Sequence, residues 1–197
     1  LRAILATAYI IGLLTAEGLR LRQRFLRASS EHKRYRPESF RRISEAAVIA
    51  VIAGGIWILP VLYVFTDLLQ AFDYYLPDWA GCFGIGVFLA GIVLRWAAQS
   101  SLGSSWSPSL ETGSQQRLVT SGIYGWIRHP LYTSLIFWAV AQPILLQNIA
   151  AGFSGAFAVA LIWFVRVPAE ERMMCARFGD AYVQYMERTG KVIPRLR

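Results

Sequence analysis

The chain has 197 residues and a net charge of +8, and its composition is 55% hydrophobic, 14% aromatic and only 16% charged. That balance excludes an ordinary soluble domain of this size. A membrane protein requires the apolar residues to gather into runs of about 20, the length of helix that crosses roughly 30 Å of hydrocarbon.

Taken in order, the first such run is residues 1–19, broken only by Arg2 and Glu17. A signal peptide is the competing reading, but no small-residue cleavage site follows and the next stretch is strongly basic. Residues 20–42 hold nine arginines and lysines. Residues 46–69 form the second run, and the connection after it, "QAFDYYLPD", carries no basic residue. The third run, 79–98, has Arg95 close enough to its end to snorkel. Its "GCFGIG" resembles a dinucleotide fingerprint, but it opens no strand-to-helix turn and instead suits close helix packing. Residues 100–128 are rich in Ser, Gly and Thr and predict a polar loop, of a length that is usually functional. Two further runs, 131–147 and 149–165, are joined at Gln147-Asn148 as a helical hairpin. From Pro168 the tail predicts a separate helix, with proline in its first turn, Glu170 and Glu171 at the positive end of its dipole, and an apolar side folding back on the membrane face or the loop.

The expected architecture is therefore all-α, with five transmembrane helices and a loop and C-terminal amphipathic helix that together enclose a site. Residues 1–99 form an N-terminal three-helix region with its basic connection at 20–42. Residues 100–197 form a second region of loop, hairpin 130–166 and tail. The positive-inside rule places 20–42, 100–128 and the C-terminus in the cytoplasm and the N-terminus outside. Five crossings satisfy all of these placements. The positive charge is explained by arms lying on anionic headgroups, with no nucleic acid required. Cys82 and Cys175 fall at opposite ends of the helices and cannot pair. His32 and His129 have no metal-ligand spacing, so no metal is expected.

"GIYGWIRHPLYTS" sets Arg128, His129 and Tyr132 against the front of the fourth apolar run. Pro130 starts that helix, where its missing N–H costs nothing. One reading is interfacial anchoring, with Trp126 and Tyr132 in an aromatic belt. The other is a ligand site: a helix start attracts anions, and the antiparallel fifth helix brings Arg166, Glu170 and Glu171 to the same depth. Such a mixed-charge cluster beside an apolar interior can hold a polar cofactor while a lipidic substrate arrives from the bilayer.

"QRLVTSGIYGWIRHPLYTS", followed by "RVPAEERMMCARFGDAYVQYMERT" and preceded by "LGSSWS", closely resembles the isoprenylcysteine carboxyl methyltransferase family of integral membrane enzymes. The resemblance spans roughly residues 102–194, about half the chain. Residues 1–100 match only as generic membrane helices. It implies an S-adenosylmethionine-dependent methyltransferase, releasing S-adenosylhomocysteine, that esterifies the carboxylate of a prenylcysteine-like lipid. It further implies cofactor contacts at Gln116, Arg117, Leu118, Val119, Tyr124, His129, Pro130, Leu131, Tyr132 and Glu170, with Arg166 meeting the acceptor carboxylate and Arg166 and Tyr132 nearest the reaction. The family often has His where this chain has Gln116. A further polar contact would fall near Ser109 or Glu111. A prokaryotic plasma membrane fits the short chain and compact loops.

These residue types suit the chemistry. Tyrosine faces attract an adenine or a sulfonium, and Glu170 suits the cofactor ammonium or its ribose hydroxyls. A carboxylate acceptor is already ionised at neutral pH, so alignment and loss of water are what the protein must supply. Phospholipid N-methylation, the alternative within the superfamily, would need a proton removed and would place an ammonium beside Arg166. A sterol-reductase relative would need room for a nicotinamide cofactor. A membrane scaffold without enzymatic activity is the alternative from another class.

Overall fold

The computed structural model describes residues 2–25, 34–35, 47, 50–102, 112–113 and 117–195. All five predicted apolar helices are present among them: α1 (Arg2–Phe25), α2 (Ala50–Phe65), α3 (Asp78–Leu102), α4 (Pro130–Leu146) and α5 (Ile149–Phe178). Three of them, α1, α3 and α5, are long and apolar enough to span a bilayer by length and composition, while α2 and α4 are shorter apolar helices. The 17 residues of α4 rise about 25 Å, a little under the hydrocarbon thickness. A short helix, α6 (Asp180–Arg188), follows α5. A two-residue antiparallel ladder pairs Arg34–Tyr35 with Thr112–Gly113 and so links the first basic connection to the long loop.

Helix α4 sits at the centre, packed by α3, α5 and α1. Its neighbours approach closely because they present glycine. A Cβ on Gly91 would stand 2.9 Å from Trp138, and one on Gly84 would stand 2.8 Å from Ile144. Gly81, where a Cβ would stand 2.8 Å from Leu5 of α1, and Gly84 are thus the packing glycines of "GCFGIG", whereas Gly86 faces open space. Tyr9, Phe88 and Trp138 stack through the middle, with ring centroids 5.2 and 5.5 Å apart. Within α2, residues Ala53–Ile58 widen to a π-helix, the wider turn that occurs mostly as short bulges inside α-helices. Side chains from three other helices bond carbonyls in this stretch. Gln142 and Ser154 donate to the Gly55 carbonyl at 2.9 and 2.7 Å, and the Tyr9 hydroxyl donates to that of Ile56 at 3.2 Å. Such pairing is obligatory where water is absent.

Three expectations are corrected. Helix α2 stops at Phe65, short of residue 69, because Thr66 turns extended and its hydroxyl bonds the Leu62 carbonyl. Arg95 does not snorkel: it turns inward, 15% exposed, over the Trp138 ring. No new helix begins at Pro168. Helix α5 runs unbroken through it to Phe178, with Ile162, Val167 and Ala169 buried on either side of the proline. The break comes at Gly179, whose φ of +53° favours glycine. At 30 residues α5 is about 45 Å long, so it extends well past the predicted 149–165 span.

The end of the bundle opposite the basic connection is closed by a polar network. Arg2 pairs with Asp73 at 2.7 Å and donates to the Tyr63 hydroxyl at 2.8 Å. Asn148 caps α5 through Ala151 and donates to Asp73 and the Leu69 carbonyl. The hairpin turn itself is made by Gln147 at φ +50°.

Candidate functional site

The basic end of the bundle is organised by a backbone strap. The amides of Arg128 and His129 donate to the carbonyls of Gly190 and Lys191, both at 2.9 Å, and the Gly190 amide donates to the Trp126 carbonyl at 3.2 Å. Thr133 adds a hydroxyl bond to the Val192 carbonyl at 2.9 Å. Only glycine fits at 190, since a Cβ there would lie 1.7 Å from the Ile193 carbonyl oxygen. The amides of Arg128 and His129, just ahead of the first turn of α4, are thus taken up by the strap and not offered to an anion. This pairing with "TGKV" left no periodic signal in the sequence. Glycine in a short polar run was the only hint.

Because α5 is continuous, Glu170 and Glu171 project from it toward the start of α4, one residue apart and therefore on different bearings. Glu171 sits among positive and N–H groups. Arg128 Nε is 2.9 Å from it, Lys191 Nζ 2.9 Å and His129 Nε2 3.3 Å. Arg128 is itself fixed by donating to the Thr189 carbonyl at 2.6 Å. On the extension of α5 beyond the span, the Glu171 carboxyl is held well below the usual carboxylate range. Hydrogen bonding from His129 is the largest cause, burial opposes it, and Lys191 and Arg128 reinforce it.

Glu170 has different company. Its Oε1 accepts from the Tyr132 hydroxyl at 2.7 Å and from Arg166 Nε at 2.9 Å. Its Oε2 lies 3.9 Å from His129 Nδ1. His129 thus stands between the two carboxylates, buried and edge-on to Tyr132. Behind this polar set Tyr132, Ile162 and Val167 form an apolar cluster, joined by Ile52, Leu135 and Trp163. Tyr132 belongs to both sets, so the charged groups and the apolar cluster adjoin.

Of the predicted positions, Tyr132, His129, Glu170 and Arg166 are brought together. Pro130 is buried at the helix start and Leu131, half-buried, follows it. Tyr124 is buried in a 3-10 turn, Gly122–Gly125, where its carbonyl accepts from the Tyr185 hydroxyl at 2.7 Å. Burial raises its phenol pKa, and the fields of Tyr185 and Glu170 raise it further. Arg117 is exposed, and Leu118 and Val119 are half-buried in the chain leading to that turn. Their side chains make none of the cluster's hydrogen bonds. Gln116, Ser109 and Glu111 lie outside the described residues. The sequence placed no role on Lys191 or Thr189, whereas Tyr182 and Tyr185, expected on the apolar side of the tail, are indeed buried on α6. Among the described residues no group of three or more His, Cys, Asp or Glu side chains could hold a metal ion.

Comparison with known proteins bears on this half of the chain. Residues 84–176 match the family model of the isoprenylcysteine carboxyl methyltransferase (ICMT) family. The chain is 32% identical over 128 residues to the protein-S-isoprenylcysteine O-methyltransferase of Tribolium castaneum, covering 61% of this chain and 46% of that protein. It is 31% identical over 118 residues to the human one, covering 59% and 42%. To protein-S-isoprenylcysteine O-methyltransferase B of Arabidopsis thaliana it is 30% identical over 118 residues, covering 59% and 60%. The aligned regions thus span about 40–60% of the length of these relatives. A solved structure of the eukaryotic intramembrane Ras methyltransferase ICMT superposes with a TM-score of 0.54 at 25% identity, covering 79% of this chain and 54% of that one. The resemblance read from the two motifs therefore extends to the helical membrane fold, and the chain is an integral membrane protein.

Proposed function

We propose that the chain is an S-adenosylmethionine-dependent methyltransferase that esterifies the carboxylate of a prenylcysteine-like lipid within the bilayer. The observation that carries this reading is the Tyr132–Glu170–Arg166 chain of hydrogen bonds set against the apolar cluster of Ile52, Leu135, Ile162 and Trp163. A polar donor molecule and a greasy acceptor need such a boundary, and the names of the relatives agree with it. Residues 100–197 act as the catalytic region on this reading and 1–99 as its membrane support, with the basic end facing the cytoplasm of a prokaryotic cell.

The donor set fits the cofactor. Glu170 Oε2 is turned away from the Tyr132 and Arg166 bonds and is the oxygen suited to an ammonium or a ribose hydroxyl. Tyr124 and Tyr132 offer aromatic faces near that carboxylate, and His129 offers a ring N–H. Arg117, Leu118, Val119, Pro130 and Leu131 complete the walls on this reading. When bound, S-adenosylmethionine supplies an electrophilic methyl group on a cationic sulfur.

The protein's own residues then have three tasks. Glu170 contributes a negative potential that favours the cationic donor at this depth. Arg166 bonds Glu170 through Nε, and its planar guanidinium is the group suited to orient a carboxylate acceptor while one acceptor oxygen attacks. The apolar cluster strips water from that oxygen, and because the acceptor is already ionised no general base is required. An amine acceptor would instead meet Arg166 as a like charge, which disfavours phospholipid N-methylation.

Separating binding from turnover tests the assignment. Glu170→Gln weakens S-adenosylmethionine binding by calorimetry, whereas Arg166→Ala leaves that binding within about threefold and lowers turnover of a farnesylcysteine carboxylate by at least tenfold. Equal turnover in Arg166→Ala and the parent would reduce Arg166 to a helix anchor. Unchanged affinity in Glu170→Gln would remove the pocket from this place.

A further inference from the structure

A second charged cluster lies between α1, α3 and α4, on a face of α4 that the candidate site does not use. Trp138 stands six residues beyond Tyr132, about 9 Å along the axis and turned well away around it. Arg95 reaches over the Trp138 ring, its guanidinium carbon 5.5 Å from the centroid. Glu17 of α1 is the carboxylate nearest to it, at 4.0 Å, and Glu17 is shared with Arg20 at 3.2 Å. Among the described residues two guanidiniums therefore face one carboxylate, leaving a net positive charge. Arg95 is only 15% exposed, and its Nε and the Trp138 indole N–H are both buried without a hydrogen-bond partner. A buried charge in a membrane helix is costly unless paired, and such residues mark ligand or ion sites.

The missing complement is an anionic oxygen. Counting from the opposite helix ends, Glu17 lies roughly 22 Å along α1 and Arg95 roughly 26 Å along α3, just inside the basic boundary of a 30 Å core. Trp96 beside Arg95 is exposed on the outer face of α3, the placement of an interfacial tryptophan. On the α1 side Gly18 has nothing within 4 Å of where a Cβ would stand. The way in is thus from the bilayer flank.

We infer that Arg95, with Arg20, forms a binding site for the phosphate of one anionic phospholipid from the leaflet at the basic end, seated between α1 and α3. The site is separate from the methyl-transfer reading and stands or falls apart from it. Detergent-purified protein is titrated with phosphatidylglycerol or with phosphatidylcholine of the same chains and followed by native mass spectrometry. One phosphatidylglycerol per chain is retained under stripping conditions that remove phosphatidylcholine, with a preference of about tenfold or more. Arg95→Gln abolishes the preference, Arg20→Gln on the helix surface weakens it several-fold, and Glu17→Gln preserves or strengthens it. Equal retention of both lipids, or a preference unchanged in both arginine variants, would overturn the site. Displacement of the lipid by millimolar inorganic phosphate alone would overturn a lipid as its occupant.

Discussion

Replacing Glu171 by alanine removes the hub that joins α5, the start of α4 and the C-terminal strap. The magnitude follows from its partners. Lys191 is 46% exposed and pairs with it as a surface group, worth under about 1 kcal/mol. Arg128 is 10% exposed, against 15% for Glu171. A hydrogen bond to a charged group contributes about 1.5–3 kcal/mol, and stranding a fully buried charge costs about 3–5 kcal/mol. Arg128 retains its bonds to the carbonyls of Thr189 and Met186, so we expect a loss of about 2–3 kcal/mol for Glu171→Ala, in the range between those two cases. At 2–4 °C per kcal/mol for a chain of this size, the unfolding midpoint in a fixed detergent falls by about 4–12 °C. The assay is a double-mutant cycle with Arg128→Ala, read by circular dichroism, with Lys191→Ala as the exposed control. Coupling between Arg128 and Glu171 should exceed about 1 kcal/mol. Zero coupling, or a Lys191→Ala effect as large as that of Glu171→Ala, would refute the reasoning.

The same carboxyl predicts an acid dependence. A folded pKa depressed below 4.5 gives stability that is complete above the unfolded value and lost as pH falls through the folded one. The unfolding midpoint should therefore be flat above about pH 5 and fall below it, and the Glu171→Gln variant should lose that part of the acid slope. Gly190→Ala cannot fit its Cβ beside the Ile193 carbonyl, so amide exchange at Arg128 and His129 should accelerate while the α3–α4 core stays protected. Asn148→Ala removes the α5 cap and two bonds at a fully buried position. It should cost about 2–3 kcal/mol by thermal unfolding without touching cofactor affinity.

The five apolar helices were legible because hydrocarbon imposes a length and a composition that survive in a single sequence. Their ends were less so. Residue 168 is a proline, and the usual rule starts a helix there. Here burial of Ile162, Val167 and Ala169 on either side of the proline outweighs the lost backbone bond and carries α5 through. Arg95 was misplaced for a related reason: hydropathy counts a charge near a helix end as snorkelling, and only the facing Trp138 and Glu17 reveal that it turns inward. The grouping of Arg128, His129, Arg166, Glu170 and Glu171 followed from the antiparallel hairpin alone. The strap of residues 189–192 did not, because backbone pairing between distant segments leaves no mark on side-chain pattern.

The most direct test of the central claim is transfer of a labelled methyl group from S-adenosylmethionine to a farnesylated cysteine carboxylate, using the purified chain in lipid, with phosphatidylethanolamine offered in parallel. Base-labile label on the prenylcysteine, lost in Arg166→Ala, is the result the account predicts. Label on the phospholipid alone, or on neither substrate with cofactor binding also absent, would contradict it.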